Sequence, residues 1–173
     1  AYLNFLDNYH ESRAAARVLN FNCLRIDAQD IVRISQQSFR KSQSIFETLR
    51  QINSLPNLEP KTLAGVKGLL ALMERHTRSA KEKNASVVLL SFLEDSGYLK
   101  GLIKLEKREE IELIRQFFER IKSFEENHLD ARLNPFLREF NLELESGEEG
   151  RLDFNPNQGP EVVRIMTVHA AKG

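Results

Sequence analysis

Thr167, His169 and Lys172 stand in the run Thr167-Val168-His169-Ala170-Ala171-Lys172-Gly173, which follows directly on the apolar stretch Val162-Val163-Arg164-Ile165-Met166. A strand end followed by small residues and a glycine lets backbone N–H groups approach an anion closely. Thr167 and His169 offer hydrogen bonds to a phosphate or a sugar, and Lys172 offers positive charge. An ordinary surface loop would read the same way. The run is not a Walker A loop, because the earlier glycine of that pattern is missing.

Two groups of cations are the other places where chemistry could gather. Arg33, Arg40 and Lys41 fall on adjoining turns, and Arg75, His76, Arg78, Lys81 and Lys83 form a denser group. Each group is either a set of phosphate contacts or a solvated helix face. His10, His76 and His128 are isolated, and no His, Asp or Glu spacing resembles a metal site. The pairs Glu109-Glu110, Glu125-Glu126 and Glu148-Glu149 are expected to face solvent. No spacing supports a Ser-His-Asp or Cys-His nucleophile.

Composition sets the limits around these residues. The chain has 173 residues, 41% hydrophobic and 29% charged, with 8 Gly and 5 Pro, a globular composition with a helical lean. Lys and Arg number 25 and so do Asp and Glu, so any binding of nucleic acid must come from a local patch rather than the global field. Cys23 is the one cysteine, which excludes an intrachain disulfide and leads us to expect a reducing, cytoplasmic setting. No apolar run approaches the ~20 residues that span a bilayer, so no membrane partner is expected. The start lacks a signal-like pattern and an initiator Met, as expected of a piece of a longer protein.

The elements that must position these residues are mostly helical. Tyr2, Leu3, Phe5 and Leu6 read as the end of a helix, and Arg13 to Leu24 as a second helix. Asp27 has the position of a cap for a helix through Ile31, Ile34 and Ser38, with Asp30 in its first turn. Ser44 and Glu47 have capping-box spacing for a short helix ending near Ile52. Leu63, Val66, Leu69, Leu70 and Met73 form one stripe from Lys61 to about Ser79. Val87 to Leu93 reads as a short helix stopped at Gly97, with a buried strand as the alternative. Ile111, Ile114, Phe117, Phe118, Ile121 and Phe124 mark a long helix from about Lys104 to Asn127. Asn134-Pro135 reads as a cap and first helical proline. Glu143 to Gly150 is expected as loop, and Val162 to Val168 as a strand. The fold class is thus mainly α: a bundle of six to eight helices with a short C-terminal β-strand. That strand has no parallel neighbour in the chain, so its sheet is expected in a domain beyond residue 173.

The last residues carry a resemblance. "VVRIMTVHAAKG" resembles motif V of the UvrD/Rep/PcrA-like superfamily I DNA helicases. Tyr2-Leu3-Asn4-Phe5-Leu6 is similar to a helix that precedes a helical insertion in that family, called 2B. The phenylalanine-rich long helix and Asn134-Pro135-Phe136-Leu137 are similar to its later part. The resemblance implies residues 1–160 as a 2B-like insertion and 161–173 as the return into a RecA-like domain, 2A. There is a departure: the family's Pro-x-x-Gly-Ile-Gly turn, which holds duplex phosphates through backbone N–H groups, is matched here by Arg25-Ile26-Asp27-Ala28-Gln29-Asp30, without glycine. Asp27 and Asp30 would repel a phosphate.

The resemblance further implies a parent enzyme that couples ATP hydrolysis, with Mg²⁺, to 3′-to-5′ movement on DNA. Thr167 and His169 would face single-stranded DNA, while Lys172 and Gly173 shape the loop. The 2B part would swivel and touch a duplex junction, the other helicase domains or a regulatory protein. A nucleoid-associated, cytoplasmic enzyme follows. The fragment alone would be inactive, because the phosphate-binding loop, the Mg²⁺ carboxylates and the arginine finger are missing. A RecB- or AddA-type helicase-nuclease subunit shares motif V, and a helical protein-interaction module with no catalytic role is the reading from outside this class.

Overall fold

A computed structural model describes residues 1–146. Those residues form nine α-helices and two 3₁₀ turns: α1 Tyr2–Asp7, α2 Ser12–Leu19, α3 Ala28–Arg40, α4 Ile45–Arg50, α5 Pro60–Glu82, α6 Ala85–Asp95, α7 Tyr98–Lys104, α8 Arg108–Asn127 and α9 Leu133–Glu145. The 3₁₀ turns are Asn22–Leu24 and Ile52–Ser54. Among the described residues there is no strand, only an isolated bridge between Asn84 and Arg132. The mainly α bundle expected from the sequence is what is found, with nine helices among the described residues where six to eight were expected. The expected strand, Val162 to Val168, lies outside the described residues, as does the 161–173 segment as a whole.

The 23 residues of α5 form the spine. Val66, Leu69, Leu72 and Met73 bury one side of it, and α1, α4 and α6 pack along its length. Six-residue α1 could not hold its shape alone, since helix nucleation is unfavourable and short helices depend on tertiary packing. It buries Tyr2, Leu3, Phe5 and Leu6 between α2, α5 and α9. Tyr2 stacks on Phe92 of α6 at 3.9 Å between ring centroids. On the far side, α8 and α9 run antiparallel and enclose Phe117, Phe124, Phe136 and Phe140, whose rings meet mostly edge to face.

Several boundaries depart from the sequence reading, each for a local reason. The helix expected from Arg13 to Leu24 ends at Leu19, and the 3₁₀ turn that follows closes on Arg25 at φ 54°. Just before that turn, Phe21 packs on Phe92 and Tyr98. The long helix begins at Arg108 rather than Lys104, because Glu106 at φ 52° turns the chain between α7 and α8. α6 begins at Ala85, two residues before the apolar run that starts at Val87, with Asn84 as its cap residue. α9 starts at Leu133 with Arg132 as its cap residue, so Pro135 is the third helical residue. A missing N–H is tolerated there because the first four N–H groups of a helix have no partner within it. Asn134, expected as the cap, instead donates to Asp7 of α1 at 2.9 Å. α9 also runs on to Glu145, into the stretch expected as loop.

Glycine is required at one crossing. A Cβ on Gly65 would lie 2.2 Å from the Leu24 carbonyl oxygen, so α5 presses its backbone onto the 3₁₀ turn there. A Cβ on Gly68, one turn on, would meet nothing within 4 Å. Gly65→Ala is therefore expected to destabilise the fold by about 1–3 kcal/mol through forced backbone movement. Gly68→Ala should stabilise it by about 0.5–1 kcal/mol through helix propensity. Urea unfolding followed by circular dichroism measures both, and a Gly65→Ala variant as stable as the parent would refute the close crossing.

Candidate nucleic-acid interface

The start of α3 is the segment in which the sequence lacks glycine. Asp27 caps the helix in extended conformation, and its carboxylate accepts the Gln29 N–H at 2.9 Å. Lys61 of α5 closes over the same carboxylate at 3.0 Å, and that hydrogen bond pulls the Asp27 carboxyl below its ordinary range. The positive end of α3 thus already holds an anion, supplied by its own chain.

Asp30 goes further inward and is fully buried. One oxygen accepts from Arg33 at 2.8 Å, and the other caps the start of α5 by accepting the Glu59 N–H at 3.0 Å. Burial pushes its carboxyl upward, but the bonds from Thr62, Glu59 and Arg33 together outweigh that and hold it below its ordinary value. Arg33 also donates to the Asn57 carbonyl at 2.6 Å. It is a clamp between α3 and the loop before α5, and so is separated in function from Arg40 and Lys41 on the same helix.

The second expected cluster divides as well. His76 is buried, with Nδ1 2.7 Å from the Tyr2 hydroxyl and Nε2 3.1 Å from the Asp95 carboxylate. Arg75 pairs with the same Asp95 at 3.0 Å, and Arg78 pairs with Glu74 one turn away at 2.5 Å. Lys83 is the C-cap of α5. Lys81 alone of this group turns to a groove, which it shares with Asp7, Asp130, Arg132 and Arg138. That groove is of mixed charge. Asp130 in it is held by Arg132 at 2.6 Å, which brings its carboxyl down to about 2.

Arg40 and Lys41 remain. Both are exposed at the end of α3, and neither has a carboxylate within ion-pairing distance among the described residues. Beside them stands Phe39, 86% exposed. The sequence reading missed Phe39, although its signal was present: it lies off the stripe of Ile34 and Ser38 that faces the core.

One carboxylate corrects an expectation. Glu125, read from sequence as solvent-facing, has a side chain only 5% exposed and accepts the Ser86 N–H at 2.9 Å. It closes the start of α6 from α8. Among the described residues no group of three His, Cys, Asp or Glu could hold a metal ion, and no helix is long and apolar enough to cross a membrane. Thr167, His169, Lys172 and Gly173 lie outside the described residues.

Asp30 generates a prediction of definite sign. A carboxyl held below its ordinary value stabilises the fold above about pH 4, and that contribution is lost as pH falls through the lower folded value. Asp30→Asn should cost about 1–3 kcal/mol at pH 7, because Arg33 loses its charged acceptor. The difference from the parent should shrink at pH 3. Urea titrations at the two pH values measure it, and an equal difference at both would show that the charge contributes nothing.

The profile of the UvrD-like helicase C-terminal domain family matches residues 1–173, the whole chain. Comparisons with curated proteins and with solved structures found no match. The chain belongs to the UvrD-like helicase C-terminal domain family.

Proposed function

We propose, from that membership, that the chain is part of an ATP-dependent superfamily I DNA helicase moving 3′ to 5′. Residues 1–160 would be its 2B-like insertion and residues 161–173 motif V of the returning 2A domain. The family match across all 173 residues is the observation that supports this most directly. The helical character of residues 1–146 agrees with an insertion of this type.

ATP and Mg²⁺ belong to the parent enzyme rather than to the described part of this chain. Its residues do not fit a nucleotide: the one glycine at positive φ, Gly97, precedes a seven-residue helix, and no glycine-rich run surrounds it. Among the described carboxylates, Asp27 and Asp30 are committed to helix caps and Asp95 to Arg75 and His76. In this reading, work on the nucleotide falls to other domains, which are partners of this bundle together with DNA. What the chain's own residues do is positional. Thr167 and His169 contact single-stranded DNA, Lys172 and Gly173 shape the loop between them and the next element, and the bundle acts as a body turned relative to the 2A domain. A regulatory protein is a further partner in this reading.

Residues 1–173 purified alone should show no magnesium-dependent ATP hydrolysis. In the complete helicase, Thr167→Ala and His169→Ala should each lower DNA-stimulated hydrolysis about tenfold, the loss of one hydrogen bond to a charged group. Steady-state ATPase assays with and without oligonucleotide check both. Hydrolysis by the isolated chain, or full activity in both variants, would overturn the assignment.

A further inference from the structure

The end of α3 is unlike its start. The last carbonyls are closed by the chain itself: Lys41 N–H bonds to the Gln37 carbonyl, Ser42 N–H to that of Phe39 and Gln43 N–H to that of Ser38. Ser42 makes the reversal at φ 49°. The negative end of the helix dipole is thereby masked, and Arg40 and Lys41 dominate the local field. A shallow groove opens between this turn and the first residue of α2, lined by Ser12, Phe39, Arg40, Ser42 and Gln43 among others. Among the described residues no carboxylate lines it. Glu47, the nearest acid along the chain, is turned back into the capping box of α4, where it accepts the Ser44 N–H at 2.8 Å.

Three features of the groove call for a ligand. Phe39 presents nearly its whole ring to solvent, where burial against a ligand would remove its apolar surface from water. Gln43 Oε1 is buried without a hydrogen-bond partner, the one such side-chain atom among the described residues. Arg40 on the groove and Lys41 next to it in the chain have no carboxylate within ion-pairing distance among the described residues. An aromatic face, an unsatisfied amide and a cation on one groove, with a second cation on the adjacent residue, are the elements of a single-strand nucleic-acid site, where bases stack on rings and phosphates meet cations.

We propose that the groove at the end of α3 binds single-stranded nucleic acid, with a base stacked on Phe39 and the flanking phosphates on Arg40 and Lys41. A paired base has no free face for Phe39, so the site selects an unpaired strand. A protein partner fits less well, since Phe39 is bordered by hydroxyls, an amide and charges rather than by the apolar collar of an interface hot spot. The proposal rests on the reading of the chain as a helicase part, and adds to it a strand contact separate from Thr167 and His169.

The test is fluorescence anisotropy of residues 1–173 with labelled oligothymidylate and with a blunt duplex of equal length. Single-strand binding should weaken about tenfold or more in Phe39→Ala, the loss of one base stack. Arg40→Gln with Lys41→Gln should flatten the dependence of log affinity on log salt by about 1.4, from two phosphate contacts at about 0.7 each. Arg115→Gln, on α8, should leave binding unchanged. Phe39 is exposed, so the variant should melt with the parent in circular dichroism. Unaltered affinity in Phe39→Ala, a preference for duplex, or no single-strand binding would each overturn the proposal. So would self-association of the chain abolished by Phe39→Ala, which would make the groove a contact between copies. In the intact helicase, DNA-stimulated ATP hydrolysis unaffected by Phe39→Ala would sink this site while leaving the helicase reading in place; no stimulation in the parent protein would sink that reading itself.

Discussion

A carboxylate inside a protein must find donors, and Asp30 finds them on its own helix and at the head of α5. Its donors come from its own helix, from the Glu59 N–H at the head of α5 and from Thr62 one turn further on. Leaving such a charge unmatched would cost several kcal/mol, so α3, the loop at Asn57 and the start of α5 cannot move independently. Everything along the spine inherits that position. Two turns on, Gly65 meets the Leu24 carbonyl, and further along His76 meets Tyr2 and Asp95.

The same economy of polar contacts anchors the outer helices. Tyr2 brings α1 to α5 through His76 and to α6 through its stack on Phe92, so a six-residue helix becomes an interior element. Burial pushes the Tyr2 hydroxyl's pKa well above its ordinary value, which keeps it a neutral partner for the imidazole. Glu125 does for α6 what Asp30 does for α5. It reaches from α8 to the Ser86 N–H, and the bonds from Lys122 and Ser86 outweigh burial to keep it ionised. The starts of α5 and α6 are thus closed by carboxylates from neighbouring helices.

That habit explains what could be read in the sequence and what could not. The Ser44 box and the Asp27 cap use donors two or three residues away, and both were legible. The α5 stripe and the phenylalanines of α8 were legible for the same reason, since periodicity is local. Asp30 to Glu59, Tyr2 to His76 and Glu125 to Ser86 join residues 29, 74 and 39 positions apart, and no spacing rule reports them. Nor does any rule separate Arg33 from Arg40, two arginines on one helix. One is held by a buried carboxylate that the sequence placed in a helix's first turn; the other has none nearby among the described residues. The break after Leu19 likewise follows from where Phe21 must pack.

With equal numbers of acidic and basic residues, the chain can present charge to a partner only by how it spends its pairs. Arg33, Arg75, Arg78, Arg115, Arg120 and Arg132 are all drawn onto carboxylates. Each pair removes a cation from the field that an approaching polyanion would meet, whatever it adds to stability. Among the described residues Arg40 and Lys41 meet no carboxylate, because their helix ends in a turn of serines and Gln43, with Glu47 drawn back by Ser44. α3 therefore has a start sealed by its own aspartates and an end left open beside Phe39. Aspartates at one end of this helix and their absence at the other decide where a negatively charged strand can approach it.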